Sequence, residues 1–131
     1  MIPTHQTTFS AGADLYAAET VTIQPQQVRL VGTGFSLPDL PFRADHDLVF
    51  MLCNRSSIAY KKALMVCNGL GVIDQDFEDE IKVMYINMSG EPQTISKGER
   101  IAQLVPMRYV TNLFDVENNK RTGGFGSTSN E

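Results

Sequence analysis

The sequence predicts an all-β fold with one short helix, and three observations lead to this prediction. Short runs of apolar or alternating residues recur along the chain of 131 residues. Turn signals separate these runs, including Pro25, the Pro38–Pro41 pair and the dipeptides Asn68-Gly69, Ser89-Gly90 and Lys97-Gly98. One segment, 56–63, combines residues that favour a helix. A chain of this length forms one domain.

The predicted strands lie between these turns. In chain order they are Val21–Ile23, Val28–Leu37, Leu48–Cys53, Leu64–Cys67, Ile81–Met88 and Ile101–Met107. In the strand that begins at Ile81, alternate side chains from Ile81 to Tyr85 share one face, and those from Met84 to Met88 share the other. Two apolar faces are typical of a strand buried on both sides, in a sandwich or at a subunit contact.

The predicted helix covers Ser56–Ala63. Its alanines and lysines favour helix formation, and Ser56 or Ser57 suits the N-cap position. No internal repeat or linker interrupts residues 10–110.

The composition argues against several function classes. With 15 acidic and 11 basic side chains the formal net charge is −4, so we expect neither a nucleic acid nor a membrane as partner. The apolar runs are far shorter than a membrane span, and the N-terminus lacks a signal-peptide pattern. We therefore expect a soluble, intracellular, cytoplasmic protein.

The few thiols and imidazoles restrict the metal chemistry. Cys53 and Cys67 lie in apolar surroundings and could pair, but a reducing compartment favours two buried thiols, which is the prediction. His5 and His46 do not stand in a zinc-binding spacing with them. Any metal would therefore be a hard ion held by oxygen.

The C-terminal segment 117–131 differs from the rest of the chain because it is polar and rich in glycine. Such a composition is typical of a disordered tail. Phe125 between glycines, followed by Ser127 and Thr128, also suits a flexible arm that closes over a ligand. Composition leaves both interpretations open.

Neither the P-loop nor the dinucleotide-binding fingerprint occurs in the sequence. The segment Asn54–Ser57 offers another way to bind phosphate. Arg55 supplies a guanidinium, and Ser56 and Ser57 supply hydroxyls, at the start of the predicted helix. An arginine before two serines is also typical of ordinary helix capping.

The sequence also predicts a strand after the hairpin turn at Asn68-Gly69, and two aspartates end this strand. Asp74 and Asp76 are two residues apart, so on an extended chain their carboxylates point to the same side and can orient a water. Such residues also form solvated turns, and Asp14 is interpreted as an ordinary turn residue unless the fold places it beside the others. Gln103 lies in an apolar strand, where its amide needs a partner, either a ligand or the neighbouring backbone.

Taken together and in chain order, these motifs resemble the homotrimeric dUTP pyrophosphatases, the dUTPase family. The matching segments are Ala11–Tyr16, Arg55–Ala59, Gly71–Phe77, Gly98–Leu104 and Gly123–Thr128. Each segment alone is a weak signal, but five of them in the family's order make a specific match.

The resemblance implies a fold, an assembly and a reaction. The fold would be a jelly-roll-like distorted β-barrel or sandwich at residues 1–116, followed by a flexible Gly-rich arm at 117–131 that closes over an active site. The assembly would be a homotrimer with active sites shared between subunits. The reaction would be Mg²⁺-dependent hydrolysis of dUTP to dUMP and pyrophosphate, which limits uracil incorporation into DNA and supplies dUMP for dTTP synthesis.

The resemblance also implies roles for individual residues. Asp74 would be the catalytic base that deprotonates the attacking water, and Asp14 would reach Mg²⁺ through water. The phosphate-binding residues would be Arg55, Ser56, Ser57, Gln103, Arg121, Ser127 and Thr128. The uracil- and deoxyribose-binding residues would be Asn68, Gly71, Val72, Ile73, Phe77 and Phe125. The phosphate-binding residues up to Gln103 would come from a different subunit than the base, and the arm from a third.

The family's substrate selection would follow from the hairpin and one ring. The backbone around Asn68–Ile73 would pair with uracil, whereas cytosine would leave these groups unpaired and thymine would add a methyl group. Phe77 would pack flat against the sugar and leave neither room nor a partner for a 2′-hydroxyl. Phe125 would stack on the uracil.

The sequence departs from the family pattern at several positions. Phe77 replaces a tyrosine, which keeps the stacking face and removes a hydroxyl. Asn54 replaces a proline, and Glu78-Asp79 replaces an Arg-Gly pair, which changes turn geometry and local charge. Lys120 holds the place of the family's arginine and Arg121 lies one residue closer to the glycines, so either could reach the γ-phosphate. The chain also begins close to the first motif, so we expect no additional N-terminal strand.

Two other functions are compatible with the same fold. The dCTP deaminases resemble it, but they need a glutamate where this sequence has Met84, and a thioether cannot shuttle protons. A nucleotide-binding or regulatory module without turnover is the other alternative. The presence of Asp14, Asp74 and Gln103 argues against it.

Overall fold

The computed structural model describes residues 1–41, 47–119, 121 and 123–125. Within these residues the chain forms nine β-strands, one α-helix and one 3₁₀ turn, so the predicted all-β class with a short helix is confirmed. The strands are β1 Ala13–Tyr16, β2 Val21–Ile23, β3 Val28–Gly32, β4 Leu48–Asn54, β5 Leu64–Val66, β6 Gly71–Asp74, β7 Lys82–Asn87, β8 Gln93–Ile95 and β9 Arg100–Arg108. The helix α1 covers Ser56–Lys62, and the 3₁₀ turn covers Leu37–Asp39.

The strands form three antiparallel sheets with the orders β1-β9-β4-β6, β3-β7-β5 and β2-β8. The long strands β4 and β9 lie side by side at the centre of the largest sheet. Leu52 and Leu104 from this sheet and Val83 from the β3-β7-β5 sheet belong to one buried cluster. The two larger sheets therefore pack against each other around a common core, which gives the jelly-roll-like architecture.

The predicted strand Val28–Leu37 is too long. β3 ends at Gly32. The hydroxyl of the next residue, Thr33, donates to the carbonyl of Ile81 at 2.6 Å. Gly34 then adopts a φ of 68°, which turns the chain out of the sheet direction.

Two short strands are absent from the sequence prediction. β8 pairs with β2 over three residues, and β1 pairs with β9. Asp14 lies within β1 opposite Gln103, so its interpretation as a turn residue is wrong. Strands of three or four residues are too short to show a clear alternation. At the N-terminus, Thr4 forms an isolated antiparallel bridge with Asp14.

The strand β7 is buried on one face only. Ile81, Val83 and Tyr85 are buried, whereas Ile86 is half-buried and Met88 is 54% exposed. The prediction of burial on both faces is therefore wrong for the single chain. The alternative, that the second face lies at a subunit contact, stays a prediction.

The helix α1 begins one residue after Arg55. The N–H groups of Ile58 and Ala59 both donate to the carbonyl of Arg55 at 3.1 Å, which makes Arg55 the N-cap. The prediction of a serine cap is therefore wrong, and the serine hydroxyls are not used for capping. The helix ends at Lys62 because Ala63 adopts a left-handed φ of 52°.

The two cysteines are free thiols, as predicted, but they are less buried than expected. Cys53 is partly buried and Cys67 is exposed. Cys67 directly follows β5, where the chain leaves the sheet for the hairpin turn. Among the helices in the described part of the chain, none is long and apolar enough to cross a membrane.

Candidate active site

Most of the predicted site residues line two separate pockets. The first, which we call the hairpin pocket, has a volume of about 350 Å³. It is lined by Leu52, Val66, Asn68, Gly71, Val72, Ile73, Asp74, Phe77, Lys82, Met84, Arg121, Gly123, Gly124 and Phe125. The second, which we call the arginine pocket, has a volume of about 320 Å³. It is lined by Gln6, Ser10, Ala11, Gly12, Asp14, Arg55, Ser56 and Gln103.

The wall of the hairpin pocket is the turn between β5 and β6. Gly69 has a φ of 76° and donates to the carbonyl of Val66 at 2.8 Å, which reverses the chain. A Cβ atom at Gly71 would lie 3.0 Å from Cβ of Leu52, so glycine lets β6 approach β4 closely here. This local geometry brings the predicted uracil-binding residues from Asn68 to Ile73 together in one place.

The strand β6 lies at the edge of its sheet. Within the described residues it pairs with β4 and with no second strand. Backbone N–H and C=O groups along its outer edge therefore have no strand partner and can pair with a ligand. This is the arrangement that recognition of a base edge by backbone requires.

The rings of Phe77 and Phe125 both line the hairpin pocket. Phe77 is 8% exposed. A Cβ atom at Gly124 would lie 3.1 Å from Cε1 of Phe77, so a glycine lets the C-terminal segment pass close to this ring. Phe125 is largely exposed at the same pocket.

The carboxylates of Asp74 and Asp76 share one partner. Arg121 donates from Nη2 to Oδ2 of Asp74 at 2.5 Å and from Nε to Oδ1 of Asp76 at 2.7 Å. One guanidinium can bridge them only because both carboxylates point to the same side, as their spacing predicts. Lys120, Ser127 and Thr128 lie outside the described residues.

The arginine pocket is built around the buried carboxylate of Asp14, which is 6% exposed. Its Oδ1 lies 3.5 Å from Nε of Arg55, and its Oδ2 lies 3.4 Å from Nη1 of Arg100. Of the two guanidiniums, Arg55 lines the pocket, whereas Arg100 contacts the same carboxylate from outside the lining. Because the two arginines together exceed the charge of Asp14, an anion such as a phosphate group can be attracted to Arg55 in the pocket.

Gln103 lies in β9 and contributes its amide to the arginine pocket. Its Nε2 donates to the backbone carbonyl of Asn54 at 3.3 Å, so the neighbouring backbone supplies one partner of this amide. A Cβ atom at Gly12 would lie only 2.2 Å from Oε1 of Gln103. The glycine of the first motif therefore leaves the space that the Gln103 side chain fills.

The two serines of the arginine motif differ in position. Ser56 lines the arginine pocket, whereas Ser57, one residue further along α1, is not among the lining residues. Gln6 and Ser10 complete this pocket and were not predicted. Ser10 closes a turn with Thr7, whose N–H donates to the Ser10 hydroxyl at 3.1 Å. Lys82 in the hairpin pocket was also missed.

The two pockets lie on opposite sides of β4. Asp74 is opposite Val49 on one side, and Gln103 is opposite Cys53 on the other. With about 3.4 Å per residue along β4 and about 4.8 Å between strands, the Cα atoms of Asp74 and Gln103 are roughly 16 Å apart. The pockets have no lining residue in common.

The arginine pocket fits a metal ion that arrives with a polyphosphate. Among the described residues there is no group of three or more Asp, Glu, His or Cys side chains that could hold a metal. Mg²⁺ keeps several waters and commonly binds through one or two carboxylates and substrate phosphates. Asp14 is the single carboxylate that lines this pocket and provides one oxygen-bearing group of this kind.

Comparison with known proteins identifies both similar sequences and similar structures. The family model "dUTPase" matches residues 1–129. The deoxyuridine 5'-triphosphate nucleotidohydrolase of Nautilia profundicola is 41% identical over 133 residues, which cover 98% of this chain and 90% of that protein. That of Hahella chejuensis is 38% identical, covering 97% and 86%.

Solved structures are similar over most of their length. The dUTPase of Streptococcus mutans has a TM-score of 0.76 at 32% identity, covering 87% of this chain and 88% of that one. The dUTPase of Staphylococcus bacteriophage 80alpha has a TM-score of 0.75 at 23% identity, covering 92% of both chains. The latter similarity is one of fold.

Proposed function

The chain belongs to the dUTPase family and is a dUTP diphosphatase, and we propose that it forms dUMP and pyrophosphate by Mg²⁺-assisted attack of water on the α-phosphorus. The observation that carries this mechanism is the hairpin pocket, where the edge of β6, the Phe77 ring and the Asp74 carboxylate meet. These three features match the three parts of a deoxyuridine nucleotide, namely the base, the sugar and the reacting phosphate.

Asp74 is the proposed general base. Its carboxylate is at the end of β6 and its side chain is 54% exposed, so a water can reach it. A carboxylate in this position orients the water and takes its proton as the oxygen attacks phosphorus. General base catalysis of this kind contributes about 10²–10⁴ in rate.

Uracil selection is assigned to the outer edge of β6 and the turn before it. The backbone from Asn68 to Ile73 offers donors and acceptors to a base edge. Uracil presents a donor between two acceptors, and cytosine does not, so cytosine would leave buried groups unpaired. The 5-methyl group of thymine would meet the pocket wall, and the Phe77 ring would pack against the deoxyribose without offering a partner to a 2′-hydroxyl.

We assign the triphosphate to the arginine pocket, where Arg55, Ser56 and Gln103 would bind it, and we propose that Ser57, the next residue of α1, binds it from beside the pocket. Asp14 would contact Mg²⁺ through water. The bound ion would offset the negative charge of the phosphates during the reaction. The Asp14 carboxylate also pairs with the guanidinium of Arg55, which lines the pocket.

We propose a homotrimer with shared active sites, and the separation of the two pockets supports the sharing. Asp74 and Gln103 of one chain are roughly 16 Å apart by strand geometry, so the arginine pocket of another subunit is proposed to complete each site. Exposed apolar side chains support an interface: Val28, Leu30, Met65, Met88, Val110, Leu113, Phe114 and Val116. Of these, Val28 and Leu30 face the half-buried side of β7 across the sheet.

The segment 117–131 is proposed to be a flexible arm that closes over an active site. In the single chain, Arg121 and Phe125 lie at the chain's own hairpin pocket, which supports the arm as a cover for such a pocket. We propose that the arm covers a pocket of another subunit in the trimer. Phe125 would stack on uracil, and Arg121, Ser127 and Thr128 would bind the γ-phosphate.

The proposed activity has a cellular role. Removing dUTP limits uracil incorporation into DNA, and the dUMP produced supplies dTTP synthesis. We place the enzyme inside the cell, or inside the host cell if its source is viral, where these nucleotides are made. The free thiols of Cys53 and Cys67 are compatible with a reducing compartment. No nucleic acid or membrane partner is proposed.

The test is pyrophosphate release from dUTP, dCTP, dTTP and UTP, each with Mg²⁺ and with excess chelator. We expect release from dUTP alone, abolished by the chelator. Release from dCTP or UTP at a comparable rate would contradict the assigned base and sugar selection. Binding of dUTP without any release would favour the non-catalytic nucleotide-binding module.

A further inference from the structure

Asn54 makes three hydrogen bonds at the point where β4 passes into the arginine motif. Its Nδ2 donates to the carbonyl of Leu64 at 2.8 Å. Its Oδ1 lies 3.1 Å from the hydroxyl of Tyr85. Its backbone carbonyl accepts from Nε2 of Gln103 at 3.3 Å. Asn54 is thus in direct contact with one phosphate-pocket residue and is the chain neighbour of another, Arg55.

The bond from Asn54 to Leu64 ties the two ends of α1 together. Asn54 directly precedes the N-cap Arg55, and Leu64 directly follows Ala63, where the helix ends. A helix of seven residues is marginal by itself, so tertiary contacts decide where it lies. The Asn54 side chain therefore fixes the loop that carries Arg55 and Ser56.

Tyr85 holds Asn54 from the core side. Its side chain is fully buried, and its hydroxyl contacts both Oδ1 of Asn54 and the carbonyl of Ile101. Burial, with a smaller effect from Glu99, raises the pKa of Tyr85 above its usual range. The hydroxyl therefore stays protonated, and its single proton is shared between these two acceptor oxygens.

The guanidinium of Arg55 is held by β9 and β1. The Nη1 of Arg55 donates to the carbonyl of Arg100 in β9 at 3.2 Å, and its Nε pairs with Asp14 in β1. The guanidinium can keep both contacts only if the Cα of Arg55 stays in place relative to these two strands. The Cα position is set by Asn54, one residue before it.

We propose that Asn54 is a positioning residue of the phosphate site, and that its hydrogen bond with Tyr85 sets where β4 turns into α1. Asn54 touches no substrate. It sets the backbone position of the next residue, Arg55. Its backbone carbonyl accepts the hydrogen bond that holds the amide of Gln103. This inference rests on the proposed function, because it assigns the arginine pocket to the triphosphate.

The test compares Asn54→Ala and Tyr85→Phe with a matched control, Thr33→Val. Thr33 is as well buried as Tyr85, and its hydroxyl donates to the carbonyl of Ile81, but it lines neither pocket. For each protein we would measure the melting temperature, kcat and KM for dUTP, and the Kd of dUMP and of a non-hydrolysable dUTP analogue.

Both test variants should weaken binding of the dUTP analogue about three- to tenfold, the effect of losing one hydrogen bond. Binding of dUMP should change less than twofold, because the hairpin pocket lies on the other side of β4. The Asn54→Ala/Tyr85→Phe double variant should be no worse than the more affected single variant, since both remove the same contact. Thr33→Val should lower the melting temperature and leave both Kd values unchanged.

Two results would overturn the positioning role. One is equal weakening of dUMP and analogue binding in the Asn54 and Tyr85 variants, which would indicate a general structural effect. The other is a lower melting temperature with both affinities intact, as in the control. If the wild type binds the analogue but releases no pyrophosphate, the proposed function fails, and the two Kd values still decide the role of Asn54.

Discussion

Replacing Gly12 by alanine should disturb the arginine pocket through Gln103. An added Cβ would lie 2.2 Å from Oε1, 2.9 Å from Cδ and 3.1 Å from Cβ of the Gln103 side chain. Ordinary van der Waals contact begins near 3.4 Å. The amide must therefore move by more than about 1 Å, and it cannot do so by its end atoms alone, because Cβ of Gln103 is also too close.

The expected cost combines two effects. Overpacking of this kind typically costs about 1–3 kcal/mol. The displaced amide also loses its 3.3 Å hydrogen bond to the carbonyl of Asn54, which costs about 0.5–1.5 kcal/mol. We expect Gly12→Ala to lower the free energy of unfolding by about 2–4 kcal/mol. A misplacement near 1 Å at a reacting site can also reduce kcat/KM about a hundredfold.

Urea unfolding and steady-state pyrophosphate release would measure the two effects. Gly90→Ala is the matched control, because nothing lies within 4 Å of a Cβ at Gly90. Gln103→Ala removes the clashing group, so adding Gly12→Ala to Gln103→Ala should cost much less stability than Gly12→Ala alone. Equal costs in the two backgrounds, or a Gly12→Ala protein as stable and active as Gly90→Ala, would refute the contact between these motifs.

Three further predictions concern the base, the arm and the buried tyrosine. Asp74→Asn should keep nucleotide binding and lose about 10²–10⁴ in kcat, whereas the control Asp76→Asn should stay near the wild-type rate. Hydrolysis by Asp74→Asn at near the wild-type rate would exclude Asp74 as the base. Deleting residues 120–131 should severely reduce kcat/KM, while circular dichroism and light scattering still show a folded oligomer. Unchanged kinetics would indicate that this segment is an ordinary disordered tail. Burial raises the pKa of Tyr85 above its ordinary value of 10.0. Above pH 10 the unfolded state therefore loses this proton before the folded state does, and the free energy of unfolding decreases. Urea unfolding would measure the difference in free energy of unfolding between wild type and Tyr85→Phe. The advantage of the wild type should fall by about 1.4 kcal/mol per pH unit above pH 10. A difference that does not change with pH would contradict the burial of the hydroxyl.

The hairpin pocket was largely predictable from the sequence because its determinants are local. The Asn68-Gly69 turn is a short-range signal, and the two-residue spacing of Asp74 and Asp76 places both carboxylates on one side of an extended chain. The bridging contacts of Arg121 agree with that spacing. The bounds of the longer strands were also close, since alternation is visible over six or more residues.

The arginine pocket was not predictable from local patterns. Asp14 meets Arg55 and Gln103 only through the register of β1, β9 and β4, which joins residues nearly ninety positions apart. Without that register, Asp14 in a short strand reads as a turn residue. The positions of Gln6 and of the Asn54–Tyr85 contact depend on the same long-range pairing. The family resemblance assigned roles to several of these residues, whereas the physical reason for their meeting came from the fold.

The central claim is that one copy of the chain supplies Asp74 and another supplies the arginine pocket, and mixing two inactive variants tests it directly. In Asp74→Asn the arginine pocket is intact, and in Arg55→Ala the hairpin pocket is intact. If the sites are shared, random mixing of equal amounts gives each site about a one-in-four chance of combining the two intact pockets. Co-refolded mixtures, with exchange verified by native mass spectrometry, should recover about a quarter of the wild-type rate of dUTP hydrolysis. Mixed oligomers no more active than the separate variants would show that each chain builds its own site.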